Sequence, residues 1–193
     1  MTNPPVPLAY RGFGTVTELT LSLAGMQDVK IDVAQAGTDN TTMALRWGPV
    51  TMLVSSAAVA HRLLALFATA REGWLHSAAH VPFPDDPATH AAMSTISTIA
   101  WHRPPIGTVT RDNVYVPELR RSVAIIELNI RPATFRIHDR AAGDSAVGLL
   151  TRAWKIAVEV FPDGPQWRSS PLRPSRLTPP PARPREHTPP SAA

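Results

Sequence analysis

Cysteine is absent from this sequence, and lysine occurs only twice, at Lys30 and Lys155. Without cysteine, the chain cannot form disulfide bonds, use a thiolate nucleophile or ligate a metal through sulfur from that residue. A long uninterrupted apolar run is also missing, because residues 50–70 contain His61 and Arg62 near their middle. A membrane-spanning helix rarely tolerates such residues. The N-terminus lacks the basic start and apolar run of a secretory signal, so we expect a soluble cytoplasmic protein that does not bind membranes.

Common catalytic motifs are missing as well. The sequence contains no G-x-S-x-G, no G-x-x-x-x-G-K-[ST] and no G-x-G-x-x-G after a predicted strand. These absences argue against the common hydrolases, NTPases and dehydrogenases, although a catalytic site assembled from scattered residues stays open. The sequence therefore favours a non-catalytic protein and predicts no organic cofactor.

Length and composition are sufficient for one domain. The chain has 193 residues, of which 44% are hydrophobic, enough to build a core. Prolines and glycines predict a flexible lead-in over residues 1–14. A single α+β domain follows over residues 15–161, and a disordered, proline- and arginine-rich tail over residues 162–193.

The firmest pattern is a strand, strand, helix unit over residues 122–161. SVAIIELNI and TFRIH alternate between apolar and polar residues, and Pro132 separates the two strands because it cannot donate to a ladder. Asp144 or Ser145 is the expected N-cap of the following helix. The helix carries apolar residues at helical spacing, namely Val147, Leu150, Trp154 and Val158.

An earlier stretch, residues 42–74, repeats this pattern more loosely. Pro49 and Thr51 correspond to Pro132 and Thr134, and each Pro-x-Thr run leads into a helix. Ser55 or Ser56 is the expected cap of the first helix. We therefore hypothesise a duplicated β-β-α unit, with halves over residues 15–80 and 106–161; a chance match is the alternative.

The segments before the first helix predict an antiparallel meander. Residues 15–23 and 29–33 alternate, and the linker AGMQD between them predicts a hairpin. The predicted fold is an antiparallel sheet with two main helices packed on one face. Residues 88–101 fit a helix or a strand, and residues 109–116 resemble a strand.

The opposite face of such a sheet is expected to be open, either simply solvated or used to bind a protein partner. Arg136 and His138 are the candidate binding residues on it. His138 beside Asp139 also raises a general-base hypothesis, but neighbouring residues of a strand point to opposite faces, which favours a turn-supporting role for Asp139. The expected open face comprises Glu18, Thr20, Lys30, Asp32, Arg46, Glu127, Asn129, Thr134, Arg136 and His138.

One pattern could hold a divalent metal ion. Glu72, His76 and His80 are spaced by four residues and would share one face of a continuous helix. Carboxylate and imidazole groups suit zinc or a similar ion, with His90 or His102 as a fourth ligand. The alternative is a solvated helix end.

The tail carries the whole excess of positive charge. From Gly164 onward there are five arginines and one glutamate, whereas the rest of the chain has fourteen basic and fourteen acidic residues. Arg168 also begins an R-x-x-P-x-x-P arrangement, which can dock as a polyproline helix, while arginines can bind phosphates; a solubilising tail is the third alternative. The candidate binding arginines are Arg168, Arg173, Arg176, Arg183 and Arg185.

Three functional hypotheses follow from these patterns. The first is a non-catalytic interaction or regulatory protein that binds a protein partner, or a second copy of itself, through the open sheet face or the tail. The second is a nucleic-acid accessory protein that uses the arginines of the tail. The third is a small metal-dependent enzyme at the Glu72, His76 and His80 set.

Overall fold

The computed structural model of the protein describes residues 19–48, 50–75, 77, 81 and 97–172. These residues form two four-stranded sheets and two α-helices, which confirms the predicted α+β class. The helices are α1 (Ala57–Trp74) and α2 (Arg140–Val160). The strands are β1 (Leu19–Leu23), β2 (Lys30–Ala34), β3 (Thr42–Trp47), β4 (Val50–Val54), β5 (Ser97–Trp101), β6 (Thr108–Val116), β7 (Arg121–Ile130) and β8 (Ala133–Ile137).

The strands divide between two sheets rather than one. Sheet I has the spatial order β1-β8-β7-β6, and sheet II has the order β2-β3-β4-β5. Each sheet contains two antiparallel pairs and one parallel pair, which is β1 with β8 in sheet I and β4 with β5 in sheet II. In both sheets, the strand that leads into a helix therefore has one antiparallel and one parallel neighbour.

The predicted hairpin between β1 and β2 is wrong. β1 pairs with β8, and its ends are held where the Leu19 N–H donates to the Pro132 carbonyl and the His138 N–H donates to the Leu23 carbonyl, both at 2.9 Å. β2 pairs with β3 in the other sheet. Alternation along a strand shows which residues face inward but not which strand lies beside it, so two strands joined by a short linker need not be neighbours.

The order of elements along the chain contains both predicted strand, strand, helix units. One is β3-β4-α1 and the other is β7-β8-α2. Thr51 and Thr134 are the second residues of β4 and β8, and each lies opposite a threonine of the parallel neighbour, Thr98 and Thr20 respectively. The origin of the two units by duplication stays a prediction.

The main core joins both sheets and both helices. Trp47 of β3, Phe67 of α1 and Phe135 of β8 form an aromatic triangle with ring centroids 5.2 to 6.1 Å apart. Such tilted and edge-on rings add to the hydrophobic stabilisation that comes from removing their area from water. A smaller buried cluster of Val81, Val116 and Val123 lies apart from the main core.

The helix caps show where the sequence prediction was right and where it was wrong. Ser56 caps α1 by accepting a hydrogen bond from the Val59 N–H at 3.2 Å, as expected. α2 begins earlier than predicted, because Asp139 and not Asp144 or Ser145 is its N-cap. Within the described ranges, neither helix combines the length and the apolar character required to cross a bilayer.

Ordered structure continues past Phe161, contrary to the prediction that the tail begins there. Residues 162–172, here called the strap, contain a 3₁₀ helix and pack against both helices. The Asp163 carboxylate accepts hydrogen bonds from the Ala57 and Ala58 N–H groups at 2.9 and 3.1 Å. A proline-rich composition predicted disorder, but these specific contacts anchor the segment. The remainder of the predicted tail, residues 173–193, lies outside the described residues.

Candidate functional site

The most exposed regular element is β6, at one edge of sheet I. From Thr108 to Asn113 every residue is exposed, although a strand that packs on a core normally buries one face. Ile106, just before the strand, is 83% exposed, Tyr115 is 60% exposed and Val109 is 37% exposed. Within the described residues, no strand pairs with the outer side of β6.

The hydrogen bonds of sheet I identify which backbone groups point toward that free edge. The Pro132 carbonyl and the His138 N–H form hydrogen bonds with β1. The backbone N–H and C=O groups of the even-numbered residues of β8 therefore point toward β1. Backbone groups alternate between the two sides of a strand. From the registers of the two antiparallel pairs, the backbone groups of odd-numbered residues in β8 point toward β7. Those of odd-numbered residues in β7 point toward β6, and those of odd-numbered residues in β6 point away from the sheet. The outward-facing amides are those of Val109, Arg111, Asn113 and Tyr115.

One of these outward amides is already occupied. The Asp112 Oδ1 accepts a hydrogen bond from the Asn113 N–H at 2.8 Å. A charged side chain on an edge strand discourages uncontrolled pairing with other chains. The side chains of Val109, Arg111 and Tyr115 share one face of the strand, because they alternate with Thr110 and Asp112. The edge thus combines apolar side chains with backbone groups able to pair another strand.

The predicted open face is divided between the outer faces of the two sheets. In sheet I, Glu127 and Arg136 lie opposite each other and form an ion pair with 2.6 Å between Oε1 and Nε. The neighbouring row joins Thr20, Thr134 and Asn129. Arg136 and His138 are therefore near one another on β8, as the sequence predicted, but Arg136 is engaged by Glu127.

The sheet II portion of the predicted face forms a separate charged group. Arg46 Nε lies 3.0 Å from Asp32 Oδ2, and Lys30 Nζ lies 3.5 Å from Asp32 Oδ1. These exposed pairs contribute little to stability, at about 0 to 1 kcal/mol each. Glu18 lies outside the described residues.

Asp139 acts as a structural anchor. Its side chain is 0% exposed and accepts hydrogen bonds from the N–H groups of Ala142, Gly25 and Val81 at 2.8, 3.0 and 3.0 Å. It thereby joins the start of α2 to the linker after β1 and to the segment after α1. The turn-supporting role expected for Asp139 is confirmed, and its position gives no support to the general-base hypothesis.

His138 lies half-buried beside this anchor. Burial lowers the pKa of His138, while the Asp139 carboxylate raises that pKa and the Arg136 guanidinium lowers it. The net direction is downward, so the neutral imidazole is favoured.

Of the predicted metal set, only Glu72 lies within the described residues. It is near the end of α1, which ends at Trp74. His76, His80 and His90 lie outside the described residues, while His102 is exposed after β5. The described residues contain no group of three metal-ligating side chains. A metal site that includes His76 and His80 stays a prediction.

Of the predicted tail arginines, only Arg168 lies within the described residues, where it is exposed on the strap. The carbonyl of the next residue, Ser169, lies 3.2 Å from His61 Nε2. The His61 ring also packs on Trp167 and Trp154, with centroids 5.0 and 6.5 Å away. The beginning of the R-x-x-P-x-x-P arrangement is thus bound to α1.

No family of known proteins, no curated protein and no solved structure matches this chain. The candidate sites therefore stand on their own geometry. Sequence reasoning predicted β6 as a strand but missed its exposed edge. The exposed Ile106 and the alternation of Val109 and Tyr115 with polar residues were the available signals, but a strand position at the edge of a sheet cannot be seen in one segment.

Proposed function

We propose that this protein is a non-catalytic interaction protein that binds an extended segment of a protein partner along the free edge of β6. The observation that carries the proposal is the combination of outward backbone groups and exposed apolar side chains on this strand. A bound segment would add a strand to sheet I through main-chain hydrogen bonds. Val109 and Tyr115 would contact alternate side chains of the bound segment.

This proposal places the predicted partner-binding role at the edge of the sheet rather than on its outer face. On the outer faces, Arg46 and Arg136 are already engaged by Asp32 and Glu127. The outward amides of Val109, Arg111 and Tyr115, in contrast, are not needed for pairing with β7. The alternative is an edge that Arg111 and Asp112 merely protect from aggregation. The first interpretation predicts that the edge of β6 binds an extended peptide, and the second predicts that it does not.

The test uses the Arg111 N–H, which points away from β7. Arg111→Pro removes this N–H without breaking the pairing between β6 and β7, whereas Arg111→Ala removes the side chain and keeps the amide. Peptides are selected from a displayed random library on the full chain, and their affinities for each variant are then measured. We expect Arg111→Pro to weaken binding about tenfold or more, which corresponds to about 1.4 kcal/mol, and Arg111→Ala to weaken it much less.

Two further variants make the outcome specific. Thr110→Pro removes an amide that faces β7 and is expected to lower the thermal stability, which checks the assigned hydrogen-bond pattern. Asp112→Ala uncovers the Asn113 N–H and is expected to strengthen peptide binding. Selected peptides that bind Arg111→Pro as well as the original chain, or a library that yields no binder, would show that the edge is only protected.

A further inference from the structure

The free edge of β6 offers its outward amides unequally. The Asn113 N–H is already bonded to Asp112 Oδ1 at 2.8 Å, so a strand laid along the edge cannot use this N–H unless the carboxylate moves away. Val109 and Arg111 precede it, and their outward N–H groups are not taken up by pairing with β7. Both residues lie in the fully exposed part of the strand. They are therefore the two consecutive outward residues of β6 that are ready to pair.

Two copies of the same strand edge pair about a two-fold axis, which makes the two strands antiparallel and repeats each contact. In an antiparallel pair, residues that exchange hydrogen bonds lie directly opposite each other. The outward backbone groups of β6 belong to its odd-numbered residues, so odd-numbered residues must face odd-numbered residues. The axis must then pass through a residue rather than between two residues.

Charge and occupied amides exclude most positions of this axis. An axis at Arg111 or at Asp112 places that charged residue directly opposite its own copy, and like charges in this position destabilise a sheet. An axis at Asn113 places two occupied N–H groups against each other at the centre. An axis at Val114 places Arg111 opposite Pro117 of the second copy, which has no N–H to donate.

An axis at Thr110 avoids these conflicts. Val109 then lies opposite Arg111 of the second copy, and the N–H groups of both residues in both copies form four main-chain hydrogen bonds. An axis at Val109 would form only two within β6. Thr108 lies opposite Asp112 of the second copy, so the threonine hydroxyl can donate to the carboxylate. The two Asp112 residues are about 14 Å apart along the strands, further than the screening length of about 10 Å at 0.1 M salt.

The two faces of such a pair are compatible with its neighbours in sheet I. Thr110 lies beside Glu127 of β7, which is ion-paired with Arg136 of β8. The axis therefore joins two polar rows whose charges are already paired. On the other face, the aliphatic part of Arg111 covers Val109 of the second copy, while its guanidinium stays in water. The two Arg111 residues lie diagonally, about 7 to 8 Å apart, rather than directly opposite.

We propose that the partner of the β6 edge is a second copy of this chain, paired antiparallel about a two-fold axis at Thr110. The inference rests on the proposed function and names the occupant of the same edge. Sheet I of each copy becomes half of a continuous eight-stranded sheet. Because a two-fold interface is closed, each β6 edge is used once and does not recruit further copies.

Single cysteines test the register, because the chain has no cysteine of its own. The two Thr110 residues form a non-hydrogen-bonded pair, in which Cα atoms lie about 4.5 Å apart, within the range of about 4.4 to 6.8 Å that a disulfide spans. We therefore expect Thr110→Cys to form a disulfide-linked dimer under mild oxidation. Thr108→Cys is the matched control, because Thr108 is equally a threonine, is exposed and shares the same strand face, but lies about 14 Å from its own copy.

Sedimentation of the cysteine-free chain over a range of concentrations measures the dissociation constant of the dimer. Arg111→Pro removes one outward N–H from each copy and thus two hydrogen bonds from the dimer. We expect it to raise the dissociation constant about 100-fold, the square of the tenfold loss for a single bond. Arg111→Ala keeps both amides and is expected to raise this constant much less.

The outcomes separate this inference from the proposed function. A chain that stays monomeric at the highest concentration at which it is soluble would overturn self-pairing. If selected peptides bind such a monomer and lose affinity in Arg111→Pro, the proposed function stands and only the second copy as partner is wrong. A dimer that Arg111→Pro leaves unchanged uses another surface, and Thr108→Cys linking as readily as Thr110→Cys shows another register; either result would overturn the inference.

Discussion

Replacing Asp139 by alanine is expected to be the most destabilising single substitution at a polar residue of the described chain. The buried carboxylate joins three segments through N–H donors of Ala142, Gly25 and Val81. No other carboxylate in these residues is both fully buried and bonded to amides from three separate segments. Its removal leaves three backbone amides without their acceptor.

The magnitude follows from opposing contributions. A hydrogen bond to a charged group contributes about 1.5 to 3 kcal/mol, so three such bonds set an upper limit several times larger. Removing the buried charge also removes its desolvation cost, which is several kcal/mol. We therefore expect Asp139→Ala to lower the free energy of unfolding by about 3 to 5 kcal/mol. A typical domain is stable by only about 5 to 15 kcal/mol, so this loss is a large fraction of the total.

Asp139→Asn separates the hydrogen bonds from the shape of the side chain. Oδ2 accepts from both Gly25 and Val81, while Oδ1 accepts from Ala142. An asparagine can place its single oxygen toward the first two donors, but its NH₂ group then opposes the Ala142 N–H. We expect a smaller loss than for alanine, about 1.5 to 3 kcal/mol, from one charged hydrogen bond.

The measurement is urea unfolding followed by tryptophan fluorescence, with the free energy of unfolding extrapolated to zero urea. Asp144→Asn is the matched control, because Asp144 is a partly exposed carboxylate on the same helix that pairs with Arg140 and Arg71 at 3.2 and 3.7 Å. Its loss is expected to stay near or below about 1 kcal/mol. If Asp139→Ala cost no more than Asp144→Asn, the anchoring role derived for Asp139 would be refuted.

Two further predictions concern packing and pH. Gly143→Ala places a Cβ into the indole of Trp74 and is expected to lower the free energy of unfolding by about 1 to 3 kcal/mol. Gly148→Ala lies on the same helix with nothing within 4 Å of the added Cβ and should raise it by about 0.5 to 1 kcal/mol. Equal urea midpoints for the two variants would contradict the close contact at Gly143. Burial lowers the pKa of His61 below the ordinary imidazole value of 6.5; the Ser169 carbonyl raises this pKa and Arg62 lowers it further. Because the net shift is downward, the unfolded chain takes up the proton at a higher pH than the folded chain. The stability of the fold should therefore decrease as the pH falls through 6.5. Urea unfolding at neutral and mildly acidic pH should show a smaller decrease for His61→Gln than for the original chain, with a residual decrease from His138, whose pKa is also lowered; an unchanged pH dependence in His61→Gln would contradict this origin.

Local patterns in the sequence determined which segments become strands and helices. Alternation predicted β3, β4, β7 and β8, and helical spacing of apolar residues predicted α1 and most of α2, because side-chain periodicity depends only on residues close together in the chain. Ser56 as a helix cap was predictable for the same reason. The overall α+β class followed from these elements.

Only the tertiary structure decided how the elements pair and which groups are exposed. The parallel partners of β1 and β5, the division into two sheets and the free edge of β6 depend on contacts between residues distant in sequence, which periodicity does not encode. Asp139 shows this most clearly, because two of its three donors, Gly25 and Val81, lie more than fifty residues away. The composition of the strap likewise predicted disorder. Its order depends on the contacts of Asp163 with α1 and of Trp167 with α2. Local periodicity therefore specified the elements, while long-range hydrogen bonds and packing specified the surfaces available for binding.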